Sequence, residues 1–292
     1  MSSASIVTIG NEKGGVGKTT TVVNLASAFA LLGKKVLVVD FDSQANSSAQ
    51  LGADMGLISS GRNLKAAIES DLTIPDIRIP TNTEGVHLLP ALKAMDELKE
   101  KVIGQPNQFK LLELILDCPE KNEYDVILVD THPAKDCYFQ SAMAASHYYL
   151  VPLFAEADPV TGLADLITDV EKIRRYLNPM LVFIGCVVTK YNKTSATHVL
   201  YEKVLRKSSK AAKFHVFDTV IPDSQSVAAA SAKSLPLHMY RRNSPAAVSY
   251  MALAGEILPY LKGQRTGRKM APVNVKALEE TIGSDLETQV EL

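Results

Sequence analysis

The chain has 292 residues, 46% hydrophobic, 22% charged and 6% aromatic, a composition that excludes disorder or a fibrous repeat for most of its length. Its net charge of −1 conceals a strong polarisation: residues 1–189 carry 16 Lys and Arg against 23 Asp and Glu, residues 190–270 carry 14 against 4, and residues 271–292 carry 1 against 5. Cys118, Cys137 and Cys186 are too widely spaced for a CxxC pair or a disulfide framework, which fits a cytoplasmic protein, and neither a signal peptide nor a membrane-spanning run is legible.

Short runs rich in Val and Ile mark strands at Ile6–Ile9, Val36–Val39, Val86–Leu89, Val126–Val129, Tyr148–Leu153 and Leu181–Val188. They are continuous rather than alternating, as in strands covered on both faces. Helical patterns fall at 18–33, 108–117, 160–177, 195–211 and 243–261. The alternation predicts an α/β fold with a doubly wound, mostly parallel sheet and helices on both faces. Residues 51–106 show no sustained period and read as short helices and loops inserted in the sheet order. The division expected is one α/β domain over 1–262, then a linker and acidic tail over 263–292, where Val275, Leu278 and Ile282 have the spacing of a short docking helix.

The first strand leads into Asn11-Glu12-Lys13-Gly14-Gly15-Val16-Gly17-Lys18-Thr19-Thr20 and then a helix. Glycines there let backbone N–H groups turn inward around phosphate oxygens, Lys18 can reach the β and γ phosphates, Thr19 can ligate Mg²⁺, and the helix N-terminus favours an anion. The generic G-x-x-x-x-G-K-[ST] pattern fails, because Glu12 stands where its first glycine belongs. What fits is K-G-G-x-G-K-[ST], with a second lysine, Lys13. The second strand ends in Asp40 and Asp42, and the strand 126–129 ends in Asp130, a Walker B arrangement. Carboxylates at that edge of a parallel sheet sit where ligands bind: Asp42 to orient the attacking water, Asp40 and Asp130 to support Mg²⁺ or the adjoining switch loop.

These motifs resemble the deviant phosphate loop and the D-x-D-P-Q-x-N and D-T-P-P segments of the ParA/MinD family of P-loop ATPases. The resemblance continues through Leu150–Leu153, Gly162–Leu166, Thr189–Asn192 and Phe217–Pro222. Two departures stand out: Ser43 replaces a proline, which puts the stiffness of that loop in doubt, and His132 stands where a proline is common. The resemblance implies slow ATP hydrolysis with Mg²⁺ and an ATP-dependent homodimer in which Lys13 touches the partner's nucleotide. It also implies adenine contacts from Lys190, Pro222 and Asp223.

The basic segment holds Lys193, Lys203, Arg206, Lys207, Lys210, Lys213, Lys233, Arg241 and Arg242. Lys and Arg on phosphates give sequence-independent, salt-sensitive DNA binding, and the chain carries no finger, homeodomain or helix-turn-helix signature for base readout. Together with this basic segment, the resemblance implies plasmid or chromosome partitioning on the nucleoid with a ParB-like partner. The alternatives are positioning of a protein cargo on the nucleoid and a MinD-like membrane ATPase; an anionic bilayer would repel the acidic end.

Overall fold

The computed structural model describes residues 3–155, 159–263, 273, 274, 276 and 277. In chain order the elements are β1 (Ser5–Ile9), α1 (Lys18–Leu31), β2 (Val36–Phe41), α2 (Asn46–Gln50), α3 (Met55–Ser59), α4 (Leu64–Ser70), α5 (Ile74–Ile77), β3 (Ile79–Pro80), β4 (Val86–Leu89), α6 (Met95–Val102) and α7 (Leu111–Ile115). Then follow β5 (Val126–Thr131), α8 (Cys137–Ala145), β6 (Tyr148–Phe154), α9 (Pro159–Tyr176), β7 (Val182–Thr189), α10 (Ala196–Ala212), α11 (Gln225–Ala232), α12 (Leu237–Arg241) and α13 (Pro245–Gly263). One sheet runs β3-β4-β2-β5-β1-β6-β7, parallel throughout except for the antiparallel pairing of β3 with β4. This is the doubly wound α/β architecture expected from the sequence.

Each expected strand forms, because its apolar residues find a core on both faces. Val7 and Ile9 of β1, Val36 and Val38 of β2 and Leu128 of β5 pack with α1 and α13. Their neighbours Ile6, Leu37, Val39, Ile127 and Val129 face the opposite layer with α4 to α8. Fully burying a Val, Leu or Ile side chain stabilises by about 1.5–3 kcal/mol, so a one-residue slip of any central strand would be costly.

Beyond α8, α11 and α12, which form outside the helical patterns read from the sequence, two elements differ from expectation. The helix expected over 108–117 shrinks to α7, because residues 104–110 spend their backbone on successive turns, with Gln105 N–H donating to Val102, Gln108 to Gln105 and Lys110 to Asn107. The second difference is β3, whose Pro80 suits a sheet edge that needs no further ladder donor.

One bulge shapes the far side of the sheet. Tyr149 pairs with Phe183 and Leu150 with Gly185, so Ile184 is an extra residue in β7. The side chains change faces across it: Ile184 and then Val187 point to the α1 layer, whereas Phe183 and then Cys186 point to the α9 and α10 layer. Gly185 has φ +126°, and a Cβ there would lie 2.4 Å from the His215 carbonyl oxygen. That close approach lets Cys186 and Phe217 exchange backbone bonds with the returning segment, Cys186 N–H to His215 O and Phe217 N–H to Cys186 O, both at 2.9 Å.

The expected tail helix and acidic end, with Val275, Leu278 and Ile282, lie outside the described residues. Val273 packs on the cluster beneath α9 and α10, and Asn274 N–H donates to Ala212 O at 2.9 Å.

Gly185→Ala therefore meets both a forbidden φ and a backbone clash. Urea unfolding is expected to show a loss of about 2–4 kcal/mol; an unchanged midpoint would contradict this account of the bulge.

Candidate nucleotide site and basic surface

The β-sheet brings the motif residues together through its register. β1, β5 and β2 lie side by side with Ile9 opposite Asp130 and Asp130 opposite Asp40, so the phosphate loop and the strand-end acids leave the sheet at one edge. The loop is fixed at both ends. Asn11 Nδ2 donates to Pro152 O at 2.8 Å, while Asn11 Oδ1 accepts from Lys13 N–H at 2.9 Å. At the far end the Thr189 hydroxyl lies 2.8 Å from Val16 O and 3.1 Å from Leu153 O, tying the loop to β6 and β7. Gly15 and Gly17 take φ +74° and +88°, the left-handed turns that aim backbone N–H groups inward. No side chain caps the N-terminus of α1, so its first N–H groups keep their capacity for an anion.

Lys18 is 7% exposed, and its Nζ donates to Lys13 O at 3.1 Å across the loop. Burial pushes its pKa down, and the nearby charges of Asp130 and Asp42 oppose that shift. All three strand-end acids are buried. Asp40 Oδ2 accepts from Ser48 N–H at 2.7 Å and Ser48 Oγ at 2.6 Å, and Ser48 Oγ in turn accepts from Ala91 N–H at 3.2 Å. Burial pushes the Asp40 pKa up to about 8, helped by the charge of Asp130. Asp130 Oδ2 accepts from Ser47 Oγ, and its Oδ1 is buried without a hydrogen-bonding partner. Burial raises the Asp130 pKa to about 6, with the Ser47 and Thr19 hydroxyls pulling it back.

Asp42 shapes the loop that follows β2. Its Oδ1 accepts from Gln44 N–H and its carbonyl from Ala45 N–H, both at 2.9 Å. These two bonds do locally what a proline at position 43 would do through its fixed φ, and Ala45 follows at φ +54°.

Sequence reasoning missed Ser47, Ser48, Asn11 and Thr189, whose roles rest on contacts far along the chain. It also missed Phe154, which forms one wall of the candidate base site. Lys190 Nζ lies 5.3 Å from the Phe154 ring centroid, and His198 meets the same ring edge-on. Tyr191 bridges to Pro222, and Asp223 N–H donates to Tyr191 O at 3.0 Å. Lys190, Pro222 and Asp223 are thus brought together beside the end of β6.

The basic residues divide. Along α10, Tyr201, Leu205, Ser208 and Ala212 face the core, leaving Lys203, Lys207 and Lys210 exposed on the outer face, with Lys213 exposed at the cap and Lys193 in the preceding loop. Arg241 and Arg242 are exposed at the end of α12, and Lys233 lies over the Tyr240 ring. Arg206 departs from the expected DNA-facing set. Its Nε pairs with Glu202 at 2.9 Å and its NH2 group donates to Phe217 O and Asp218 O at 3.2 and 3.3 Å, so it pins the turn after α10. Its five donors are largely spent inside the protein.

Comparison with known proteins agrees with this geometry. A family model described as an AAA domain matches residues 4–183. The chromosome-partitioning ATPase Soj of Thermus thermophilus is 33% identical over 256 residues, covering 86% of this chain and 94% of that protein. The chromosome partitioning protein ParA of Caulobacter vibrioides is 30% identical, covering 87% and 93%. Among solved structures, MinD of Pyrococcus furiosus superposes with a TM-score of 0.71 at 24% identity, over 88% of this chain and 99% of that one. The chain belongs to the ParA/MinD-type family of P-loop ATPases.

Between about pH 4 and 8 unfolded carboxyls are ionised while folded Asp40 keeps its proton. The folded state then binds more protons at this site, and the site's contribution to stability falls as pH rises. Half-buried histidines with lowered pKa values, such as His147, contribute with opposite sign, so the test is a comparison. From pH 6 to pH 8 the wild-type Tm should fall relative to that of Asp40→Asn; parallel pH profiles would contradict the assignment.

Proposed function

We propose that this chain is a partitioning ATPase that dimerises on ATP, binds non-specific DNA as the dimer, and releases DNA when a ParB-like partner stimulates hydrolysis. The single observation that carries the reading is the two-lysine phosphate loop held over buried Asp42 and Asp130. The relatives named for chromosome partitioning support it.

The residues fit ATP with Mg²⁺. The orphaned Oδ1 of Asp130 and the Thr19 hydroxyl are hard oxygen donors at the phosphate loop. Among the described residues no group of three or more His, Cys, Asp or Glu is placed to hold a metal alone. That suits an ion which keeps its waters and shares one or two protein oxygens with substrate phosphates. When bound, Mg²⁺ neutralises charge on the phosphates. Lys18 turns from the Lys13 carbonyl toward the β and γ phosphates, and the loop N–H groups hold their oxygens. Asp42, at the start of the switch loop, orients the attacking water. Lys13 reaches across the dimer to the partner's nucleotide, so closure depends on ATP, and the base rests by Lys190, Pro222 and Asp223.

DNA lies along the exposed lysines of α10, with Lys193, Lys213, Lys233, Arg241 and Arg242 adding to the basic surface; Arg206 supports the fold of that helix instead. Such a protein works in the cytoplasm on the nucleoid, and among the described residues no helix is long and apolar enough to cross a membrane.

Binding to a random-sequence duplex should require ATP and Mg²⁺, weaken steeply with salt and vanish in Lys18→Ala. Replacing Lys203, Lys207 and Lys210 by Ala should reduce the slope of log K against log salt by up to about 3, at roughly 0.9 per phosphate contact. DNA binding that ignores nucleotide, or a triple variant with the wild-type slope, would contradict the proposal.

A further inference from the structure

Just ahead of the phosphate loop, Glu12 places a carboxylate where the loop prepares to receive a polyanion. The Asn11 turn holds Glu12 at its apex, since Lys13 N–H returns to Asn11 Oδ1. Glu12 pairs with Lys135, whose Nζ lies 2.9 Å from Glu12 Oε1. Lys135 pairs at the same time with Asp169 of α9, and Asp169 also accepts from Lys172 Nζ at 2.8 Å. Three separate parts of the fold meet at this one ammonium: the entry to the phosphate loop, the segment after Asp130, and α9.

Lys135 is not placed there by chance of a long side chain on a loose loop. The next residue, Asp136, caps α8 by accepting from Phe139 N–H at 3.1 Å, and it lies 3.4 Å from Lys99 Nζ and 3.6 Å from His132 Nδ1. The backbone at Lys135 is therefore fixed from one side, and Asp169 fixes the ammonium from the other. Glu12, Lys135 and Asp169 side chains are 33%, 43% and 21% exposed. Pairs this open add little to folding stability.

We propose that Lys135 is a positioning residue of the nucleotide site, held by Asp169 so that it neutralises Glu12 and fixes the entry of the phosphate loop in a form that accepts ATP. The proposal rests on the nucleotide reading above and goes beyond it, because it assigns a role to residues outside the motifs. Without Lys135 the Glu12 carboxylate stands uncompensated beside the phosphates. ATP carries one more negative charge than ADP and is opposed more strongly, so the bracket favours the nucleotide that closes the dimer.

The test is binding of fluorescent ATP and ADP analogues, with Mg²⁺, to the full chain as wild type, Lys135→Met, Lys135→Arg, Glu12→Gln and the double variant Glu12→Gln/Lys135→Met. Lys135→Met should weaken ATP binding about fivefold or more and ADP binding by less, an effect that shrinks at high salt. Lys135→Arg and the double variant should both bind ATP as the wild type does. A merely structural lysine would not be rescued by removing the charge of Glu12. Wild-type affinity in Lys135→Met, or equal losses for ATP and ADP that Glu12→Gln does not restore, would overturn the proposal. A wild type that binds neither analogue would overturn the nucleotide reading along with it.

Discussion

Lys18 carries a positive charge into a site where it is 7% exposed, facing Asp42 and Asp130, and much of the surrounding structure is arranged around that burial. An ammonium taken out of water needs partners, and here it finds a carbonyl of its own loop and the field of two carboxylates. The central strands deliver these groups to one edge of the sheet, and Asn11 and Thr189 tie the loop to β6 and β7. Two buried carboxylates, Asp42 and Asp130, oppose the cost of burying the Lys18 charge.

The acids do different work despite similar burial. Asp40 spends one carboxylate oxygen on the backbone and hydroxyl of Ser48, and Ser48 passes the contact on to Ala91 beyond β4. Asp130 accepts from Ser47 next door and keeps one oxygen orphaned. The start of α2 is thus latched to both acids. Asp130 is joined through Ser47 to the start of α2, next to the loop that Asp42 opens. Asp130 and Asp40 are thus tied to the same turn of chain through Ser47 and Ser48.

The sheet and the phosphate loop were legible in the sequence because their signals are local. A run such as Val36–Val39 is a buried strand whatever surrounds it, and K-G-G-x-G-K carries its own turn geometry. The serines of α2, Thr189 and Phe154 gave no such signal. Their roles come from register, which sets Asp40 opposite Asp130 and Phe154 opposite Thr189 across strands distant along the chain. The bulge at Gly185 was hidden for the same reason, since an apolar run reads alike whether or not one residue is extra. Arg206 shows the converse. Charge counting placed it with the basic surface, whereas its guanidinium closes a turn only a folded α10 creates.

The basic stripe of α10 and the candidate nucleotide site share no residue, so in the proposed function their coupling passes through a change in assembly or in the position of α10. The proposed cross-dimer role of Lys13 assigns that coupling to dimerisation. The most direct measurement is the sedimentation of the full chain alone, with ADP and Mg²⁺, and with ATP and Mg²⁺, for wild type and Lys13→Ala. The account predicts a doubled mass only for wild type with ATP. A Lys13→Ala protein that dimerises on ATP as wild type does, or a wild type whose mass ignores nucleotide, would contradict it.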